Sequence, residues 1–122
     1  MAFDNDFLVM HTSELSVKEL LDQIEKALKA KKVKVFARIN HAQAAHDVGL
    51  TLPDEEVLLF GNPLVGTALM VERPAFGIEL PLKILAWHDS NLKKTRFAYH
   101  RLEKLAAIFQ VQASMGTIQK LT

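Results

Sequence analysis

The chain contains no cysteine among its 122 residues. Disulfides, thiolate nucleophiles and cysteine metal clusters are therefore excluded, and the absence fits a reducing compartment. No apolar run approaches the ~20 residues that a membrane-spanning helix needs. The opening residues, Met1-Ala2-Phe3-Asp4-Asn5-Asp6, place acids where a secretory signal places Lys or Arg. The expectation is a soluble cytoplasmic protein. An excess of one charge is also lacking: 15 Lys and Arg face 14 Asp and Glu. No strong field draws such a chain to nucleic acid or to anionic lipid. There is no Walker loop, no Gly-x-Gly-x-x-Gly fingerprint and no Gly-x-Ser-x-Gly elbow. Ser13, Ser16, Ser90 and Ser114 each fit a cap, a turn or the tail better than a nucleophile.

What is present is an ordinary globular composition, 49% apolar and 24% charged, in a length that suits one domain, residues 1–122. A chain of this size buries roughly two-thirds of its unfolded surface and needs no staples. Residues 6–12 read as a first strand. Ser16-Val17-Lys18-Glu19 matches the capping box, and Leu20, Leu21, Ile24, Ala27 and Leu28 follow at helical spacing, predicting a helix over 17–31. Lys29, Lys31 and Lys32 lie at its end, where cations suit the helix dipole. Residues 33–39 alternate as a second strand. Asn40 is a good N-cap for a short helix over 41–48, stopped at Gly49. Residues 55–60 are apolar on both faces and read as an interior strand.

Leu58-Leu59-Phe60-Gly61-Asn62-Pro63 is the most informative run. A strand ends at a tight corner, and Asn62-Pro63 supplies an N-cap and a first-turn proline for a helix over 64–71. Pro74, Gly77 and Pro81 punctuate an expected irregular loop. A hairpin of strands 82–89 and 92–99 turning at Ser90-Asn91 comes next. Leu102, Leu105, Ala106, Ile108 and Phe109 make a closing amphipathic helix, and residues 114–121 suggest one more helical turn. The order predicts an α+β two-layer sandwich, with helices on one face of a mostly antiparallel twisted sheet of about five strands.

Several of these pieces, in order, resemble the domain-of-unknown-function family numbered 302. They are Val35-Phe36-Ala37-Arg38-Ile39-Asn40-His41, Ala44-Ala45 with Gly49-Leu50, Leu59-Phe60-Gly61-Asn62-Pro63 with Gly66-Thr67, Leu80-Pro81-Leu82-Lys83 and Ala86-Trp87. The resemblance covers residues 33–99. It implies a twisted antiparallel sheet backed by helices, of a type likened to the TATA-binding-protein fold, and frequent pairing as homodimers. It implies no established activity, substrate or cofactor. The chain departs from the pattern at Asn40, where the family usually has Asp, and at Tyr99-His100-Arg101. An amide cannot act as a base near neutral pH, but it caps a helix nearly as well as a carboxylate, so position 40 reads as a cap.

Five histidines, His11, His41, His46, His88 and His100, raise the question of a metal. His41 and His46 are five apart, off a common helical face, and His88 and Asp89 point to opposite sides of a strand. No metal and no cofactor are expected. His41, following the second strand, is the best single functional histidine; the alternative is a ring that only satisfies nearby backbone. If Val33, Val35, Ala37 and Ile39 face the helices, then Lys34, Phe36 and Arg38 face away, joined by Leu85, Trp87 and Arg96 of the hairpin. Aromatics mixed with arginines suit a ligand cleft or a dimer interface, and the charge balance disfavours the related nucleic-acid platform. The residues expected to bind are Phe36, Arg38, His41, Asn62, Trp87 and Tyr99. The expected function is non-enzymatic binding of a small molecule or protein partner, including a second copy, on the open sheet face. The alternative is an enzyme with a polar pocket around His41, Asn62 and Tyr99.

Overall fold

The computed structural model describes residues 5–111. The expected turn over 114–121 lies outside the described residues. In chain order the elements are β1 (Leu8–Ser13), α1 (Val17–Ala30), β2 (Lys34–Asn40), α2 (His41–Asp47), β3 (Glu55–Gly61), α3 (Pro63–Glu72), a 3-10 helix (Pro74–Glu79), β4 (Leu82–Asp89), β5 (Lys94–His100) and α4 (Leu102–Ile108). The strands form one sheet in the order β1-β5-β4-β3-β2, with every neighbouring pair antiparallel. The α+β class and the five-strand antiparallel sheet are as the sequence predicts.

Local chemistry explains where the helices start and stop. Ser16 Oγ accepts from the Glu19 amide at 3.1 Å, Asn40 Oδ1 from the Gln43 amide at 2.8 Å and Asn62 Oδ1 from the Leu64 amide at 3.0 Å. Each satisfies a donor that a helix leaves orphaned. The position 40 substitution is thus a working cap. At the other ends, α1, α2 and α4 close with the same paired bonds across a left-handed residue. For α2 that residue is Gly49, at φ 81, with Gly49 N donating to His46 O and Leu50 N to Ala45 O. For α1 it is Lys32, at φ 61, with Val33 N donating to Leu28 O at 2.9 Å.

Side-chain alternation then divides the sheet. Leu58 on β3, Ile84 and Ala86 on β4 and Phe97 on β5 meet Val17, Leu20, Leu21, Ile24 and Leu28 of the α1 side. A second cluster joins Val65 and Leu69 of α3, Phe76 of the 3-10 helix, Leu102, Leu105 and Ala106 of α4, and Val111, with Leu80 and Leu82 packed against it. Leu82 lies two residues before Ile84 and so on the same face. Both clusters therefore sit over one side of the sheet, and neither includes a residue whose side chain projects from the other side.

Three expectations are corrected. The stretch around Gly77 is not irregular: its 3-10 turn buries Phe76 completely, because an apolar ring flanked by breakers still has a core to fill. The hairpin turns over residues 90–93, with Lys93 at φ 56. Asp89 Oδ1 accepts from the amides of Asn91 and Leu92 at 2.9 and 3.0 Å, and this side-chain-made turn delays β5 to Lys94. The third is the pairing of β2 with β3, which slips between Val35 and Ala37. Phe36 is the extra residue of a β-bulge, and a bulge exchanges the faces of everything after it. Arg38 therefore turns to the α1 side, while Ala37 and Ile39 turn away from it.

Phe76→Ala should cost about 3–5 kcal/mol, the range for emptying a buried aromatic site. Leu64→Ala, at a position 84% exposed, should stay within about 0.5 kcal/mol of the parent. Urea unfolding followed by circular dichroism measures both, and equal effects would contradict the placement of the second cluster.

Candidate functional site

The open side of the sheet is built from register. Met10 of β1 pairs with Ala98 of β5, Ala98 with Leu85 of β4, Leu85 with Val57 of β3, and Val57 with Ile39 of β2. One unbroken apolar row thus crosses all five strands on the face that no helix cluster covers. Ala98 and Val57 are crowded by their neighbours to 5% and 8% exposure, while Ile39 at the edge is 43% exposed.

A polar row flanks it on one side and a mixed row on the other. On one side Thr12 pairs with Arg96, Arg96 with Trp87, and Trp87 with Glu55. On the other, Leu8 pairs with His100, and Lys83 with Leu59, which pairs with Ala37. The Arg96 guanidinium lies 5.8 Å from the centre of the Trp87 ring and 3.9 Å from Asp89 Oδ2. Its buried Nε has no hydrogen-bond partner among the described residues. An aromatic face beside a cation with spare donors is a favourable anchor for a partner.

The sequence-predicted residues divide among several places. Trp87 lies on the open face beside Arg96, as expected. Phe36, 49% exposed at the bulge, has the Lys34 ammonium 4.9 Å from its ring centre. It lines a cavity of about 350 Å³ with Gly61, Asn62, Val65, Met70 and Leu80. Arg38 is not on the open face. Its Nε donates to Glu56 Oε1 at 2.9 Å, its Nη1 to Asp22 and its Nη2 to the Lys18 carbonyl at 3.2 Å, so it ties the β2 edge to α1. Asn62 and Tyr99 share a second, larger cleft of about 570 Å³ on the helix-covered side. His41 stands alone. It follows the Asn40 end of β2, whereas Asn62 follows the end of β3 that pairs with Lys34. The seven residues of β2 at about 3.3 Å each put them roughly 20 Å apart. A polar pocket around His41, Asn62 and Tyr99 is therefore not formed, because antiparallel pairing sends two successive corners to opposite ends of the sheet. Among the described residues, no group of three or more His, Cys, Asp or Glu could hold a metal ion, and no helix is long and apolar enough to cross a membrane.

Sequence reasoning missed Met10, Val57 and Ala98, whose partnership rests on register. It also missed the bulge, although three consecutive apolar residues, Val35-Phe36-Ala37, break the alternation of β2 and signalled it. Of the larger cleft, Leu28 and Lys31 read only as the apolar stripe and basic end of a helix, and Glu79 carried no motif.

The architecture and the pieces of sequence at its corners agree with what comparison finds. The family model described as "Domain of unknown function DUF302" matches residues 9–121. The chain belongs to the DUF302 family. A solved structure of an uncharacterized conserved DUF302 protein from Bacillus stearothermophilus superposes with a TM-score of 0.83 over 96% of this chain and 91% of that one, at 16% identity; it speaks to fold alone. Among curated proteins, the chain is 38% identical over 86 residues to a fluoride-specific ion channel, FluC 1, of Brucella suis biovar 1. It is equally similar to FluC 1 of Brucella abortus biovar 1. The match covers 70% of this chain and 34% and 32% of those relatives, so the DUF302 chain spans about a third of their length.

The Arg38 network also sets an acid response. The hydrogen bond from Lys18, and after it that from Arg38, holds the Asp22 carboxyl below the usual aspartate range. A depressed folded-state value contributes stability that is present above the unfolded value of about 3.9. That contribution is lost as pH falls through the lower folded value. Asp22→Asn should therefore flatten the acid limb of the stability curve below about pH 4 and leave its shape near neutrality unchanged. Denaturant midpoints across that range test it, and an unaltered acid limb would refute it.

Proposed function

We propose that this domain is a non-enzymatic binding module whose open sheet face docks a protein partner, and that the partner is a second copy of the chain. The observation that carries the proposal is the five-strand apolar row, bounded by a polar row on one side and a mixed row on the other, since an apolar centre with polar groups at its margin is the anatomy of a protein interface. Two features favour self-association. A two-fold axis along the central strand β4 sets Leu85 against its own copy, Ala98 against Val57 and Met10 against Ile39. A small residue meets a larger one where Ala98 faces Val57, and two long apolar side chains, Met10 and Ile39, meet at the edges. The same axis brings Arg96 of one copy over Glu55 of the other, on both sides of paired Trp87 rings. The underemployed guanidinium thereby gains a carboxylate, and the surface is self-complementary as a two-fold interface requires.

The length of the curated relatives supports a module rather than a self-contained enzyme. A unit that makes up about a third of proteins named as ion channels has to work beside other protein, and an open sheet face is a natural contact. Against catalysis stands the separation of His41 from Asn62 and Tyr99.

Sedimentation velocity should give a particle of twice the 13.7 kDa chain mass. Ile39→Asp should shift it to monomer. Arg96→Glu should weaken association at least ~30-fold, as losing a charge pair worth 2 kcal/mol or more does, and adding Glu55→Arg to it should restore the dimer. A parent chain monomeric at about 100 µM, or a double variant no better than the single one, would overturn the second copy as partner; the concentration corresponds to a free energy too weak for a specific complex.

A further inference from the structure

The helical layer does not close. The α1 cluster and the α3–α4 cluster share no buried residue, and between them runs the cleft of about 570 Å³. Phe60, Leu82, Ile84 and Tyr99 come from the sheet beneath it. Leu28 and Val33, at the end of α1, form one wall, and Leu102 and Leu105 form the other. That volume falls in the range of small-molecule sites. Its composition is that of such a site too, mostly apolar with a few polar groups. Lys31 and Lys83 are on its lining with Asn62 and His100, against one acid, Glu79. Neither lysine makes an ion pair among the described residues. The half-buried Tyr99 has no hydrogen bond from its hydroxyl there either. An apolar cleft with an unmatched cationic margin and a spare phenol selects both ends of an amphiphile.

We propose that this cleft binds a small amphipathic anion, an apolar chain or ring system bearing one carboxylate, with the apolar part between Leu28 and Leu105 and the anion at Lys31 and the Tyr99 hydroxyl. The floor of the site, Phe60, Leu82, Ile84 and Tyr99, lies on the opposite side of the sheet from the self-association row; Lys83 and His100 reach its margin from the row that flanks the open face. Occupancy would bridge two hydrophobic clusters that share no buried residue, which gives the ligand a stabilising effect.

Sodium decanoate titrated into isotope-labelled full-length chain, followed by amide chemical shifts, tests this directly. Saturable shifts should concentrate at Leu28, Phe60, Tyr99 and Leu105 and be absent at Ile39 and Trp87. Decanol, the uncharged comparator, should bind several-fold more weakly. Lys31→Gln should erase most of that difference between the two probes. Tyr99→Phe should weaken decanoate roughly 3- to 10-fold, the worth of one hydrogen bond, with its unfolding midpoint confirming a folded chain. No saturation by millimolar decanoate, shifts confined to the open face, or a decanoate–decanol ratio unchanged by Lys31→Gln would each overturn the proposal. So would sedimentation with anionic phospholipid vesicles in the absence of saturable decanoate shifts, because the contact would then be with a lipid surface.

Discussion

The register of β4 between β3 and β5 decides what every other part of the molecule can meet. Ala86 is wholly buried and faces Phe97 on one side and Glu56 on the other, under α1. Leu85, one residue earlier, faces Ala98 and Val57 on the uncovered side. A slip of one residue would send Ile84 and Ala86 into water and drive Lys83 and Trp87 under the helix. Leu58, fully buried opposite Ile84, helps hold the register. Removing a side chain of that kind from water is worth roughly 1.5–3 kcal/mol, and a slip would forfeit it at several positions together. The apolar row on one side and the cleft floor on the other are two readings of this one alignment.

The bulge at Phe36 shows how an edge strand can serve both sides. Before it, Val35 packs with the α1 cluster. After it, the same side carries Arg38, whose guanidinium spans from Glu56 on β3 to Asp22 and the Lys18 carbonyl on α1. Without the bulge, Ala37 and Ile39 would continue under α1 and the open row would end at Val57. The extra residue therefore lengthens the exposed apolar row by one strand and ties the edge strand to α1 with a charged clamp. The clamp also gives the edge strand a polar, multiply bonded flank, which discourages indiscriminate strand addition there.

Much of the fold was legible because its signals are local. Ser16, Asn40 and Asn62 announce helix starts by their own chemistry, Gly49 announces a stop, and the spacing of Leu20, Leu21, Ile24 and Leu28 gives α1 its buried side. The site was less legible because its parts come from different strands. Trp87 and Arg96 could be grouped, since the longer turn shifts the hairpin register by two residues and so leaves every side chain on its expected face. Arg38 could not, because one inserted residue reverses its direction while leaving composition unchanged. His41 and Asn62 both follow strands and precede helices, and nothing local says that antiparallel pairing places them at opposite ends. Lys32 and Gln110 take left-handed conformations at φ 61 and 56, where glycine would have marked the helix ends; the paired closing bonds, not residue type, select them.

The two candidate surfaces draw on alternate residues of the same strands. Ile84 and Tyr99 are register partners on the cleft side, while their neighbours Leu85 and Ala98 are partners in the open row. Alternation in a strand puts such neighbours on opposite sides of the backbone, so a side chain can be changed on one surface without touching the other. Sites with no shared partners behave additively to within a few tenths of a kcal/mol. Tyr99 and Trp87 are therefore separable: a defect in self-association that follows Tyr99, or a loss of amphiphile binding that follows Trp87, requires the backbone itself to move. The sheet between the two surfaces resists that movement, since each interior strand is held by ladders on both edges. If both proposals hold, separate surfaces on one sheet would let a small domain meet a partner on one side and a ligand on the other.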